Sequence, residues 1–126
     1  MRPYTIFCDI DGTLVKKDDP IDNQYPNHKL TLLAGTATEL MKWDQNGAYI
    51  ILTTGRKESF REVTIKQLAE VGIFYDHLLM GIGGGTRILI NDLKENSSKR
   101  TAIGITVERN EGISGIYDDL EEKKYG

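Results

Sequence analysis

One cysteine, three prolines and no long apolar run leave this sequence few devices for stapling, stiffening or anchoring a fold. The lone Cys8 excludes an internal disulfide and is compatible with a reducing compartment. Inside a β-favouring stretch it reads as a small core residue. No stretch approaches the roughly 18 apolar residues of a membrane-spanning helix, and the N-terminus lacks a signal-peptide pattern. A cytoplasmic protein with no membrane partner is therefore expected. Excess positive charge is missing too: the net charge is −3, which disfavours a nucleic-acid partner. Histidine is scarce: His28 has no Cys or second His near it, which argues against zinc and leaves surface exposure as the expectation, and His77 at a strand start reads as a structural partner. There is no internal repeat and no low-complexity segment. What is present is ordinary for a soluble chain: 39% hydrophobic and 28% charged residues over 126 positions, enough for one domain, 1–126, with a real core.

The stretch Tyr4-Thr5-Ile6-Phe7-Cys8-Asp9-Ile10-Asp11-Gly12-Thr13 organises the rest. Thr5 to Cys8 suits a strand buried on both faces of a parallel sheet. Ligands of open α/β sheets bind beyond the carboxyl ends of the strands, so Asp9 and Asp11 should stand at that crevice. Gly12 then allows a sharp turn. Two carboxylates this close resist joint ionisation unless something compensates. A Mg²⁺ ion, which takes one or two carboxylates plus a substrate phosphate, would do so. An Asp beside a metal can act as a nucleophile, and a second Asp can move a proton. The bland alternative is an Asx-type turn after a strand.

Asp9-Ile10-Asp11-Gly12-Thr13 resembles the first motif of the haloacid dehalogenase-like phosphohydrolases, D-x-D-G-T after a hydrophobic strand, in the form of the phosphatase branch. The resemblance implies that Asp9 is the nucleophile, Asp11 the acid/base and Mg²⁺ the cofactor.

From 14 to 32 two prolines and many turn formers predict a flap or hairpin over the site. Leu33, Ala37, Leu40 and Met41 predict a helix from Gly35 or Thr36 to Asn46, ended by Gly47, with Trp43 off the stripe. Ala48–Thr53 follows as a buried strand, giving a right-handed βαβ unit. It runs into Thr53-Thr54-Gly55-Arg56, where a hydroxyl and a Gly N–H can both donate to a phosphate. The resemblance selects Thr54 as the second motif, with Thr53 the lesser choice. Gly55 stands beside it, and Arg56 is either a substrate contact or a surface ion pair. A second helix is expected over 58–71, its stripe of Phe60, Val63, Leu68 and Val71 interrupted by Gln67. A short third strand is expected at 77–80.

The seven residues Gly81 to Arg87 are too few for a crossover helix and reach roughly 23 Å when extended, so any crossing there is taut. The family's third motif is a Lys, which is absent here; Arg87 is the nearest cation, either supplying that charge or marking a strand start. Ile88-Leu89-Ile90-Asn91-Asp92 reads as a fourth strand delivering Asp92 beside Asp9, and the resemblance implies that Asp9, Asp11 and Asp92 hold the metal. Ala102 to Val107 reads as a fifth strand, and 108–126 as a charged tail ending in a short frayed helix.

The expected architecture is a single α/β, three-layer Rossmann-like domain with a five-stranded parallel sheet, a short flap and no cap domain. The expected function is Mg²⁺-dependent hydrolysis of a phosphomonoester, on a sugar phosphate or a similar small phosphorylated metabolite. Alternatives are a weak or inactive metal- or partner-binding module of the same family, a receiver-like signalling domain, and a nucleic-acid end phosphatase. A homo-oligomer is left open.

Overall fold

The computed structural model describes residues 3–125, which form an α/β fold on a parallel sheet. Strands β1 (Thr5–Asp9), β2 (Tyr49–Thr53) and β3 (His77–Leu79) lie in the order β1-β2-β3. Register pairs Cys8 with Leu52 and Asp9 with Thr53, so β1 and β2 end level with each other. Leu78 flanks Leu52 on the other side. Helix α1 (Thr36–Gln45) joins β1 to β2, and α2 (Arg61–Glu70) joins β2 to β3. Both crossovers step the same way across the sheet, and right-handed connections then place both helices on one face. Leu40 and Trp43 of α1 and Leu68 of α2 are accordingly buried with Cys8, Ile50, Leu52 and Leu78.

The strands alternate instead of being buried throughout. Cys8, Ile50, Leu52 and Leu78 are buried, whereas Phe7, Tyr49 and Leu79 are 53%, 44% and 43% exposed. The expected strand buried on both faces, and with it the three-layer arrangement, is thus corrected: no helix among the described residues covers the second face.

The expected five-stranded sheet is corrected to three strands. Neither Ile88–Asp92 nor 102–107 forms a strand, and Ile88 and Ile90 are 81% and 86% exposed. After β3 the N–H groups of Gly81 and Ile82 donate to the carbonyls of Arg56 and Thr54, carrying the chain past the end of β2. A Cβ added at Gly83, Gly84 or Gly85 would meet open space, so no side chain or backbone packs closely against these three glycines. A β-favouring run becomes a strand only when a neighbour takes up its backbone groups; otherwise they stay with water.

Helix α1 falls within one residue of its expected span, and the Gly47 N–H closes it on the Asp44 carbonyl at 3.0 Å. Its buried side is rotated from expectation: Trp43 is in the core and Met41 is 54% exposed. The expected second helix begins as a 3-10 turn, Glu58–Phe60, and α2 buries Thr64, Gln67 and Leu68, so Gln67 is part of the packed face and does not interrupt it. The tail docks through α3 (Ile116–Glu121), where surface was expected. Tyr117 is buried, its N–H donates to Glu39 Oε1 at 2.6 Å, and Lys42 pairs with Asp118 at 2.9 Å. Gly112 permits the approach: its φ is +90° and a Cβ there would collide with the Ala34 carbonyl. Gly126, the last residue of the expected tail, lies outside the described residues. Among the described residues no helix is long and apolar enough to cross a membrane.

Candidate active site

β1 carries Asp9 to the carboxyl edge of the sheet, with Ile10 fully buried behind it. The chain then coils back at once: the N–H groups of Leu14 and Val15 both reach the Ile10 carbonyl, and Gly12 donates to the Val15 carbonyl at 2.7 Å. Gly12 sits at φ +88°, and a Cβ there would press on Arg109 Cγ at 3.3 Å. This turn needs glycine for both reasons. Burial pushes the Asp9 carboxyl above the usual carboxylate range. The Ile10 N–H and the charge of Arg87 oppose that push, the neighbouring Asp11 adds to it, and Lys17 opposes it. The same burial raises the Cys8 thiol to about 12, so it is a protonated core group and not a nucleophile.

β2 ends beside this turn in Thr54, Gly55 and Arg56. Thr54 is 1% exposed, and its Oγ1 accepts the Arg56 N–H at 3.1 Å, which leaves the hydroxyl hydrogen to donate elsewhere. Gly55 passes close to the chain leaving β3, since a Cβ there would lie 3.2 Å from the Ile82 carbonyl. The Arg56 side chain turns inward to Asp11, with Nε donating to Oδ2 at 3.0 Å and Nη2 to Oδ1 at 2.9 Å. The fork is bidentate and the two side chains are only 8% and 17% exposed, the setting in which an Arg–carboxylate pair holds orientation best. Arg56 Nη1 donates to Gln67 Oε1 at 2.6 Å and to Thr64 Oγ1 at 3.3 Å.

The flap rises from a short antiparallel base, where Lys16 donates to the Thr31 carbonyl at 2.8 Å and Leu33 to that of Leu14 at 3.0 Å. His28, expected at the surface, is partly buried against Asp18 at 2.9 Å. The flap's inner side is tied to α2, because Gln67 Nε2 donates to the carbonyls of Asn23 and Tyr25 at 3.2 and 3.1 Å. The chain returns to the motif turn at Asn110, whose N–H donates to the Gly12 carbonyl and whose Oδ1 accepts the Lys17 N–H, each at 2.8 Å.

The structure brings Asp9, Asp11, Thr54 and Gly55 to one sheet edge, with the charge of Arg87 acting on Asp9. Arg87 itself is exposed and donates to the Gly85 carbonyl at 3.4 Å. Asp92 is not brought in. It lies on the exposed stretch after Arg87, its carbonyl taken by the Thr101 hydroxyl. Among the described residues no three His, Cys, Asp or Glu side chains gather as a metal cage would require. The donors present fit a hard cation only in the sparing form that takes one or two carboxylates, with water and a phosphate completing its shell. Three participants escaped sequence reasoning: Lys17, Asn110 and Gln67. A glutamine on an otherwise apolar helix stripe was the one available signal.

Residues 6–78 match the family described as haloacid dehalogenase-like hydrolase. No curated protein matches the chain. Among solved structures, it is similar to a chain of the Pnkp1/Rnl/Hen1 complex, at 32% identity and a TM-score of 0.54, covering 68% of this chain and 30% of that one. A chain of the Pnkp1/Rnl/Hen1 RNA repair complex gives 29% and 0.52, covering 76% of this chain and 28% of that one. This chain thus spans less than a third of the length of those relatives. A target protein of known crystal structure from Vibrio cholerae shares the fold at 18% identity and a TM-score of 0.52, covering 70% of this chain and 79% of that one. With the motif turn at the end of β1 and a family match over more than half its length, the chain belongs to the haloacid dehalogenase-like hydrolases.

Proposed function

We propose that the protein is a Mg²⁺-dependent phosphomonoester hydrolase that works through a phospho-aspartate on Asp9, with a sugar phosphate or similar small phosphorylated metabolite as substrate. The observation that supports this most is the acid pair at the end of β1, in which Asp9 is half-buried and has no ion-pair partner among the described residues, while Asp11 is fixed by the Arg56 fork. An oxygen of Asp9 attacks phosphorus, the P–O bond to the leaving group breaks, and the departing oxygen takes the proton of Asp11, which enters this step as the neutral carboxyl. Water then attacks phosphorus and gives its proton to Asp11, releasing phosphate and the Asp9 carboxylate. Each Asp11 oxygen keeps a lone pair beyond the one Arg56 uses, and with it can face the leaving oxygen or the water. Thr54 donates its hydroxyl hydrogen, and Gly55 its N–H, to the phosphate oxygens, while Arg87 and Lys17 favour an anion near Asp9. Asp9, with Asp11, would hold Mg²⁺, which when bound offsets the charge of the two acids and of the phosphate.

The test is hydrolysis of p-nitrophenyl phosphate with Mg²⁺ or with a chelator. Asp9→Asn should abolish turnover and leave the circular dichroism unchanged; retained hydrolysis would reject the assignment. A second reading, a phosphatase acting on a nucleic-acid end, is favoured by the similarity to chains of an RNA repair complex. Comparing RNA carrying a terminal phosphate with a panel of phosphorylated metabolites separates the two. The net charge of −3 favours the small substrate.

A further inference from the structure

The flap and the acid motif are joined through the interior by one glutamine. Gln67 is 0% exposed, and both ends of its amide are used. Oε1 accepts from Arg56 at 2.6 Å, and Nε2 donates to two flap carbonyls, those of Asn23 and Tyr25. Arg56 in turn grips both oxygens of Asp11. The chain of contacts is therefore continuous: flap backbone, Gln67, Arg56, Asp11. Its members come from the flap, α2, the end of β2 and the motif turn. A buried amide has little freedom to satisfy one end without the other, since leaving a buried polar group unpaired forfeits its hydration with nothing in return. If the flap lifts, Nε2 loses two acceptors and Oε1 can follow it, which leaves Nη1 of the guanidinium with only its longer contact to Thr64 Oγ1. If the flap is seated, all arms of the fork are held and Asp11 has one orientation.

We propose that Gln67 is a positioning residue that couples seating of the 18–29 flap to the orientation of Asp11, through Arg56. The chemical part of this rests on the phosphatase reading above; the coupling itself does not. Seating the flap would both shield the crevice and aim the proton-transferring carboxylate, so proton transfer would be efficient only when the site is closed.

Two variants separate the ends of the amide. Gln67→Glu keeps an oxygen for Arg56 but sets a carboxylate against the two flap carbonyls. Gln67→Met keeps the volume and removes every hydrogen bond. Hydrogen exchange by mass spectrometry should show faster exchange across residues 18–29 in both variants. Asp11→Asn, which weakens the Arg56 fork without touching the flap, should loosen the same segment, because coupling is reciprocal. Unchanged flap exchange in all three variants would overturn the proposal, and it can be read whether or not the protein turns over any phosphate. The kinetic arm uses two substrates. An alkyl phosphate needs a proton delivered to its leaving oxygen; p-nitrophenyl phosphate hardly does. Gln67→Met should slow the alkyl ester by about 10-fold to 100-fold and the aryl ester several-fold less, since misplacing an acid forfeits part of its contribution. Equal losses on both substrates would mark Gln67 as structural only. If the wild-type protein hydrolyses neither ester with Mg²⁺, the phosphatase reading fails and the exchange experiment alone decides the coupling.

Discussion

Glu39 carries a carboxylate where almost no water reaches it, at 1% exposure between α1 and α3. Burial raises its carboxyl above the usual range, against the pull of the Tyr117 N–H and the Lys42 charge. A raised value means that the folded chain holds this proton more tightly than the unfolded chain. The stability tied to it is then fully present below the ordinary Glu value of about 4.3 and is lost as pH rises through the folded value. Glu39→Gln keeps an oxygen for the Tyr117 N–H and removes the charge. It should raise the urea midpoint at pH 7 and change it little near pH 4; a gain equal at both would contradict the burial argument. Little of this could be read in advance, because Glu39 looks like any exposed helix residue until α3 covers it. The placement of Asp9, Asp11, Gly12 and Thr54 at strand ends was legible because their setting is local, an apolar run that stops at a turn. Arg56 was visible as a cation, but its partner was not, since Asp11 lies a βαβ unit away.

At the scale of elements, periodicity located α1 to within a residue, and α2 behind its 3-10 turn, yet α1 is rotated from its expected stripe, and α2 buries Thr64 and Gln67 beside the expected Leu68. Trp43 and Gln67 were set aside as off-stripe or interrupting because apolar spacing weighs side chains by type alone. Packing weighs them by what they meet, and Gln67 meets donors and acceptors. The junction of α1 with the tail is a sharper case. Gly112 combines a φ of +90° with an approach to the Ala34 carbonyl that leaves no room for a side chain. Gly112→Ala should therefore destabilise by at least about 1–3 kcal/mol from backbone strain alone, with the clash in addition. Thermal unfolding followed by circular dichroism would show it. A melting point within a degree of wild type would mean that the α1–α3 contact relaxes freely.

Across the whole molecule, order is uneven. β2 is hydrogen-bonded on both edges, whereas the stretch from Gly83 to Glu108 is almost entirely exposed. Amides in that stretch should exchange close to unprotected rates while those of Ile50 to Thr53 exchange last, as local opening follows local contact. Protection over 88–92 matching that of β2 would contradict a three-stranded sheet. From the sequence alone one could derive the succession β1-α1-β2-α2-β3 and the placing of an acid pair at a strand end. Those features follow from spacing and turn chemistry within windows of a few residues. The width of the sheet, the burial of Glu39 and Gln67, the grip of Arg56 on Asp11 and the separation of Asp92 from that pair were decided only in three dimensions. Each depends on which backbone edges and which buried polar atoms meet, and distance along the chain carries no record of that.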